Sequence, residues 1–206
     1  MMPDLKIITL EVLVTIVIPL LLLYLRGKWP IKTTIICLVF LPIIWYLTYA
    51  PIHELSHALG TIIAGGKVTE LKLIPNFWEG VFAVAWVRTT GLNSVWQNMT
   101  MTGAPYFLDF ASLLMGIAVM LRNQSKNAFW VGLLFMILCL RPTFDLVCET
   151  IGFLNGFKGD LYHIQLRVGG FVLTSFLVVS LGLSLVSLIF ILKRYTGFFD
   201  RKPLKG

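Results

Sequence analysis

Five stretches of this chain, residues 7–25, 33–66, 103–121, 127–154 and 160–192, are predominantly apolar and long enough to cross a bilayer. A membrane helix needs about 20 such residues, and in hydrocarbon its backbone N–H and C=O groups must be paired within the segment. The pattern predicts an all-α polytopic membrane protein, a single domain over 1–206 with about five transmembrane helices and no separate soluble domain. Composition agrees: 57% of the residues are hydrophobic and 13% charged, too apolar for a soluble domain. The second, fourth and fifth stretches exceed a straight crossing. Pro42 and Pro51 in the second and Pro142 in the fourth predict kinks or partial unwinding. The first run is too long for a signal-peptide core and no small-residue cleavage site follows it, so it reads as a retained span.

The net charge of +7 does not point to nucleic acid, because the basic residues sit in short clusters between the apolar runs. Arg26, Lys28 and Lys32 form one cluster, Arg122 and Lys126 a second, and Lys193, Arg194, Arg201, Lys202 and Lys205 a third. With five spans all three fall on one side. By the positive-inside rule that side is cytoplasmic, with the C-terminus, and the N-terminus lies opposite. Cys37, Cys139 and Cys148 all lie in apolar runs, where they pack rather than form a disulfide framework.

The 67–102 connection has its own pattern. "KVTELKLI" alternates apolar and polar residues, and "GVFAVAWV" is rich in β-branched and aromatic residues. Both read as short strands around the turn "PNFWEG", a hairpin-like region lying against the membrane. It would serve either as a cap over the bundle or as an edge strand.

Within the second apolar run stands "HELSH", His53 to His57. On a helix, positions i and i+4 share a face, so both imidazoles can reach one tetrahedral zinc ion. Glu54 lies beside them without needing to ligate, placed to move a proton from a metal-activated water to a leaving amine. The chain has three histidines, and two of them fall at this spacing around a glutamate. An ionisable residue inside a membrane is costly, on the order of 2.5–3.5 kcal/mol for the charged types even on lenient insertion scales, so three polar groups together require a shared purpose. A hydrogen-bonded histidine–glutamate cluster, such as a proton relay, is the bland alternative to a metal site.

These residues carry a resemblance. "HELSHALGTIIAGGKVTELKLIP" resembles the zinc-motif helix and following strand of the site-2 protease family of intramembrane metalloproteases, and "TGAPYFLDFASLLMG" resembles the opening of that family's next core helix, with Ala104 between Gly103 and Pro105. "NGFKGDLYHI" is similar to its second signature, with Gly156 and Leu161 where the family carries proline and glycine. The resemblance covers about residues 45 to 170. It implies Zn2+ as cofactor, Asp160 as a metal ligand, and Asn155 as a residue that positions substrate or the transition-state oxyanion.

A catalytic zinc site needs a third protein ligand besides His53 and His57. Of the ten acidic residues, position leaves Asp109, Asp145, Glu149 and Asp160, with His163 as a non-acidic candidate. Asp160 is favoured by the resemblance. Asp145 is favoured by depth: it lies 19 residues from Lys126, much as His53 lies 21 from Lys32, whereas Asp160 lies 33 from Lys193. Tilt, a kink at Pro51 or unwinding near Gly169 and Gly170 would remove part of that mismatch, and Asp160 is placed ahead with Asp145 as the alternative. Arg141, four residues before Asp145, needs an anion, and an Arg141–Asp145 pair would occupy both. Asp109 and Glu149 are its other possible partners.

The expectation is a zinc metalloendopeptidase embedded in the lipid bilayer, hydrolysing membrane-spanning or membrane-associated protein substrates. The alternative is a non-proteolytic membrane protein, a metal or proton transporter or an inactive protease-like scaffold, that uses the same polar residues.

Overall fold

A computed structural model describes residues 5–27, 29–73, 85–122, 125 and 127–196. Among these, five helices are long and apolar enough to cross a membrane: α1 (Lys6–Arg26), α2 (Ile31–Ile63), α3 (Val95–Arg122), α4 (Ala128–Leu154) and α6 (Gly170–Thr196). A short helix, α5 (Asp160–Val168), precedes α6, and strands β1 (Lys67–Lys72) and β2 (Trp86–Thr90) lie between α2 and α3. The chain is an all-α polytopic protein with, among the described residues, one small two-stranded antiparallel sheet. Outward faces such as Ile35, Val39, Ile43 and Leu47 of α2 are apolar and exposed, as contact with lipid tails requires.

The helix α4 is the hub. Two thirds (67%) of its most apolar window is buried inside the protein, against 22–39% for the other four spans. Around its first half, Ile16, Leu20 and Tyr24 of α1 pack with Leu41 and Trp45 of α2. Around its second half, Tyr106 and Leu113 of α3 pack with Leu161 of α5 and Leu177 of α6. Tyr24 donates its hydroxyl to the carbonyl of Ala128 at 2.8 Å, tying α1 to the start of α4.

Prolines leave local marks. The first and fourth spans each widen into one π turn, Leu13–Val17 and Met136–Leu140, which ends two residues before Pro19 and Pro142. Proline lacks an N–H and crowds the carbonyl four residues back, and a wider turn accommodates both defects. The helix α2, by contrast, continues through Pro42 and Pro51 from Ile31 to Ile63.

Two predicted boundaries move. The expected span 160–192 is broken at Gly169, whose φ of 85° suits a residue without a Cβ. Asp160, His163, Gln165 and Arg167 make the piece before the break too polar to be a span, so α5 is a separate helix. The third span begins at Val95 rather than 103 because Ser94 and Gln97 form a capping box. Ser94 Oγ accepts from the Gln97 N–H at 3.1 Å, and Gln97 Oε1 accepts from the Asn93 and Ser94 N–H groups at 3.0 Å.

The helix α2 stops in a Schellman turn: Gly65 has φ 78°, Gly65 N–H donates to Ile62 O and Gly66 N–H to Thr61 O. This sends the chain directly into β1. The strands pair antiparallel, with Lys67 opposite Thr90 and Leu71 opposite Val87, and an irregularity between Val68 and Glu70. The expected turn 75–80 and the first part of the second expected strand lie outside the described residues.

Candidate metal centre

The helical spacing of "HELSH" places His53 and His57 one turn apart near the end of α2, and neighbouring elements fix each ring. His57 Nδ1 donates to the backbone carbonyl of Met101 on α3 at 2.9 Å. His53 Nδ1 donates to Asp145 Oδ2 on α4 at 2.8 Å. A carbonyl and a carboxylate only accept, so both Nδ1 atoms carry the proton, and a neutral ring held this way offers Nε2 as its acceptor. The two Nε2 atoms lie 3.1 Å apart. Asp160 Oδ2, from the first residue of α5, lies 2.8 Å from His57 Nε2 and 3.5 Å from His53 Nε2.

Three acceptor atoms this close repel one another unless positive charge sits among them, either as protons on the imidazoles or as a metal cation. With the rings as donors, burial works against ionisation of Asp160, but hydrogen bonds from His53 and His57 overcome it and hold the carboxyl well below the usual range. A metal fits the spacing. Tetrahedral zinc with bonds of about 2.0–2.1 Å sets its ligand atoms about 3.3 Å apart, and the three edges here are 2.8, 3.1 and 3.5 Å. The donor set, two imidazoles and one carboxylate, is that of a catalytic zinc, and outer partners on both Nδ1 atoms are the usual means of orienting ligand histidines.

Close packing and a tight turn bring these groups together. A Cβ on Gly60 would stand 2.7 Å from Thr100 O and 2.8 Å from Ala104 Cβ. Only glycine lets α3 approach α2 here, which is how the Met101 carbonyl reaches His57. At the other end, α4 stops in a second Schellman turn, with Gly156 at φ 80° and Phe157 N–H donating to Gly152 O at 2.9 Å. The reversal swings Asp160 back over the histidines.

These three atoms open onto a cleft of about 330 Å³. Its polar floor is His53, Glu54, His57 and Asp160 with Glu149 beside them, and its walls are Trp86 and Val87 of β2, Met101 and Phe157. Glu54 borders the cleft without belonging to the ligand cluster. That is the place required of a group that moves protons rather than holds an ion.

The other sequence candidates fall elsewhere. Asp145 is level with the site, as its depth suggested, but it meets His53 on Nδ1, the nitrogen away from Asp160. Arg141 does not pair with Asp145; its guanidinium donates to Asp109 Oδ1 at 2.7 Å in a pair 0–3% exposed. Glu149 lines the cleft, and His163 is exposed with its ring against Tyr162. Asn155 is exposed and donates its amide to the carbonyl of Ile151 at 2.9 Å, so the structure does not bring it into the cleft. The contribution of Met101 is a backbone carbonyl, which no side-chain pattern can announce. That of Trp86 and Phe157 depends on where the hairpin and the α4–α5 turn fold.

No family model, curated protein or solved structure matches the chain.

Proposed function

We propose that this protein is an intramembrane zinc metalloendopeptidase, similar in its chemistry to the site-2 proteases that its motifs resemble. The observation that carries the reading is the meeting of His53 Nε2, His57 Nε2 and Asp160 Oδ2 beside Glu54 in a cleft among apolar helices. Bound zinc would supply Lewis-acid polarisation of the scissile carbonyl and activation of water. The residues of the chain do the rest. Asp145 and the Met101 carbonyl hold the two imidazoles in the ligating tautomer. Glu54 accepts a proton from the attacking water and delivers it to the leaving nitrogen, so that no covalent intermediate with the chain is needed. The apolar walls, Trp86, Val87, Met101 and Phe157, suit the side chains of a membrane-embedded or membrane-adjacent peptide.

The test begins with the metal. Protein purified without chelators should contain about one zinc per chain. It should cleave a membrane-spanning substrate in liposomes, and it should lose and regain that activity on chelation and zinc return. Metal-free protein would defeat the reading; zinc or proton flux across the liposome without cleavage would favour a transporter.

A substrate helix hides its backbone in its own hydrogen bonds and must be opened before hydrolysis. Strand β2 contributes Trp86 and Val87 to the cleft wall, where an extended peptide can add along the hairpin. Replacing residues 67–90 by a short glycine linker should leave zinc content unchanged and abolish turnover of a helical substrate. Unchanged turnover would remove the hairpin from the mechanism.

Under this reading the basic clusters face the cytoplasm together with the C-terminus, and the hairpin and metal centre lie toward the opposite face.

A further inference from the structure

Among the described residues the ion pair between Arg141 and Asp109 is the most buried, 0–3% exposed, and it adjoins the candidate metal centre without belonging to it. Arg141 and Asp145 are four residues apart on the regular helical part of α4, so their side chains share a face. Asp145 is within electrostatic reach of both Arg141 and Asp109. Yet it accepts from His53, while Asp109 from α3 takes the guanidinium. Nor is Arg141 saturated: its Nε–H has no hydrogen-bond partner, and the Asp109 carboxyl that holds the guanidinium also lies within hydrogen-bonding reach of Asp145.

We propose that Asp109 is a positioning residue, which by holding Arg141 keeps the guanidinium off Asp145 and so leaves Asp145 free to orient His53. The inference rests on the reading of His53, His57 and Asp160 as the zinc ligands. Its physical basis is competition for one carboxylate. A buried guanidinium without an anion is costly, and on α4 the anion next in reach is Asp145. A charged guanidinium, with several donors in a planar fork, outcompetes a single N–H of a neutral imidazole for that carboxylate. His53 would then lose the acceptor that fixes its ring and tautomer. Loss of such an outer partner typically costs a ligand histidine about 10–100-fold in metal affinity.

The test is a rescue. Zinc affinity is measured by chelator competition on purified wild type, Asp109→Asn and Asp109→Asn/Arg141→Met. The 15N histidine spectrum of each zinc-free protein is recorded in parallel. With three histidines in the chain, and His163 outside the site, the His53 Nδ1 signal can be assigned. The single variant is expected to bind zinc about 10–100-fold more weakly and to lose the strongly hydrogen-bonded Nδ1–H signal of His53. Removing the guanidinium as well should restore both, because Asp145 has no competitor left.

A folded Asp109→Asn protein with wild-type affinity and spectrum would overturn the proposal. So would a double variant as weak as the single one, since the ion pair would then act as structural support. If the single variant does not fold, the double variant decides alone: retained affinity supports the proposal and lost affinity overturns it. A wild type that takes up no zinc would defeat the metal reading instead, and the histidine spectra would then decide the inference by themselves.

Discussion

Under the proposed function, Glu54→Gln protein is expected to bind zinc as wild type does and to lose peptidase activity. Glutamine preserves the shape of the side chain, and Glu54 contributes no atom to the cluster of His53, His57 and Asp160, so zinc per chain should equal that of wild type. What disappears is a carboxylate able to take a proton and return it. General acid–base groups typically contribute about 10²–10⁴-fold, and cleavage of a membrane substrate should fall by at least that. The measurement is elemental analysis and liposome cleavage on the same preparation. Loss of both zinc and activity would make Glu54 a structural or ligand residue. Undiminished cleavage would take the proton-transfer role away from it.

The second large effect concerns Asp160 and doubles as an assignment of the ligand set. Asp160→Ala removes an atom that lies 2.8 Å from His57 Nε2 and 3.5 Å from His53 Nε2. Zinc affinity should drop by more than the roughly 100-fold that marks the upper end for outer partners. Asp145→Ala removes only the acceptor behind His53 and should fall within the 10–100-fold range. Chelator competition on the two variants gives the order directly. A larger loss from Asp145→Ala would reverse the roles of the two aspartates.

The helices and the histidine pair were legible because they depend on local spacing. Runs of apolar residues must pair their backbone groups internally in lipid, and a spacing of four puts His53 and His57 on one helical face whatever surrounds them. The strand character of residues 67–72 was visible for the same reason, in the alternation of "KVTELK". A capping box at Ser94 was equally local and set the start of α3, although the polar residues after it made the segment look like connection.

Roles assigned by counting along straight helices were a different matter. Depth from the basic flanks counted against Asp160 only if 160 to 192 were one straight helix; unwinding near Gly169 was the foreseeable way out, and the break there makes α5 a separate element. The same count put Asp145 at the right level but could not say which imidazole nitrogen it would meet. Nor could spacing along α4 reveal that Arg141 would find its anion on α3 rather than four residues away.

The sequence by itself determined a five-span helical membrane protein with a histidine pair and a glutamate at metal-site spacing, since those features follow from periodicity within single segments. Only the tertiary structure decided how three aspartates from three helices divide their work. Asp160 meets the Nε2 atoms of both histidines, Asp145 holds His53 by Nδ1, and Asp109 holds Arg141. That division is set by contacts between residues 32 to 107 positions apart, made where glycines let helices touch or turn back, and such distances are properties of the packed bundle rather than of any one stretch of chain.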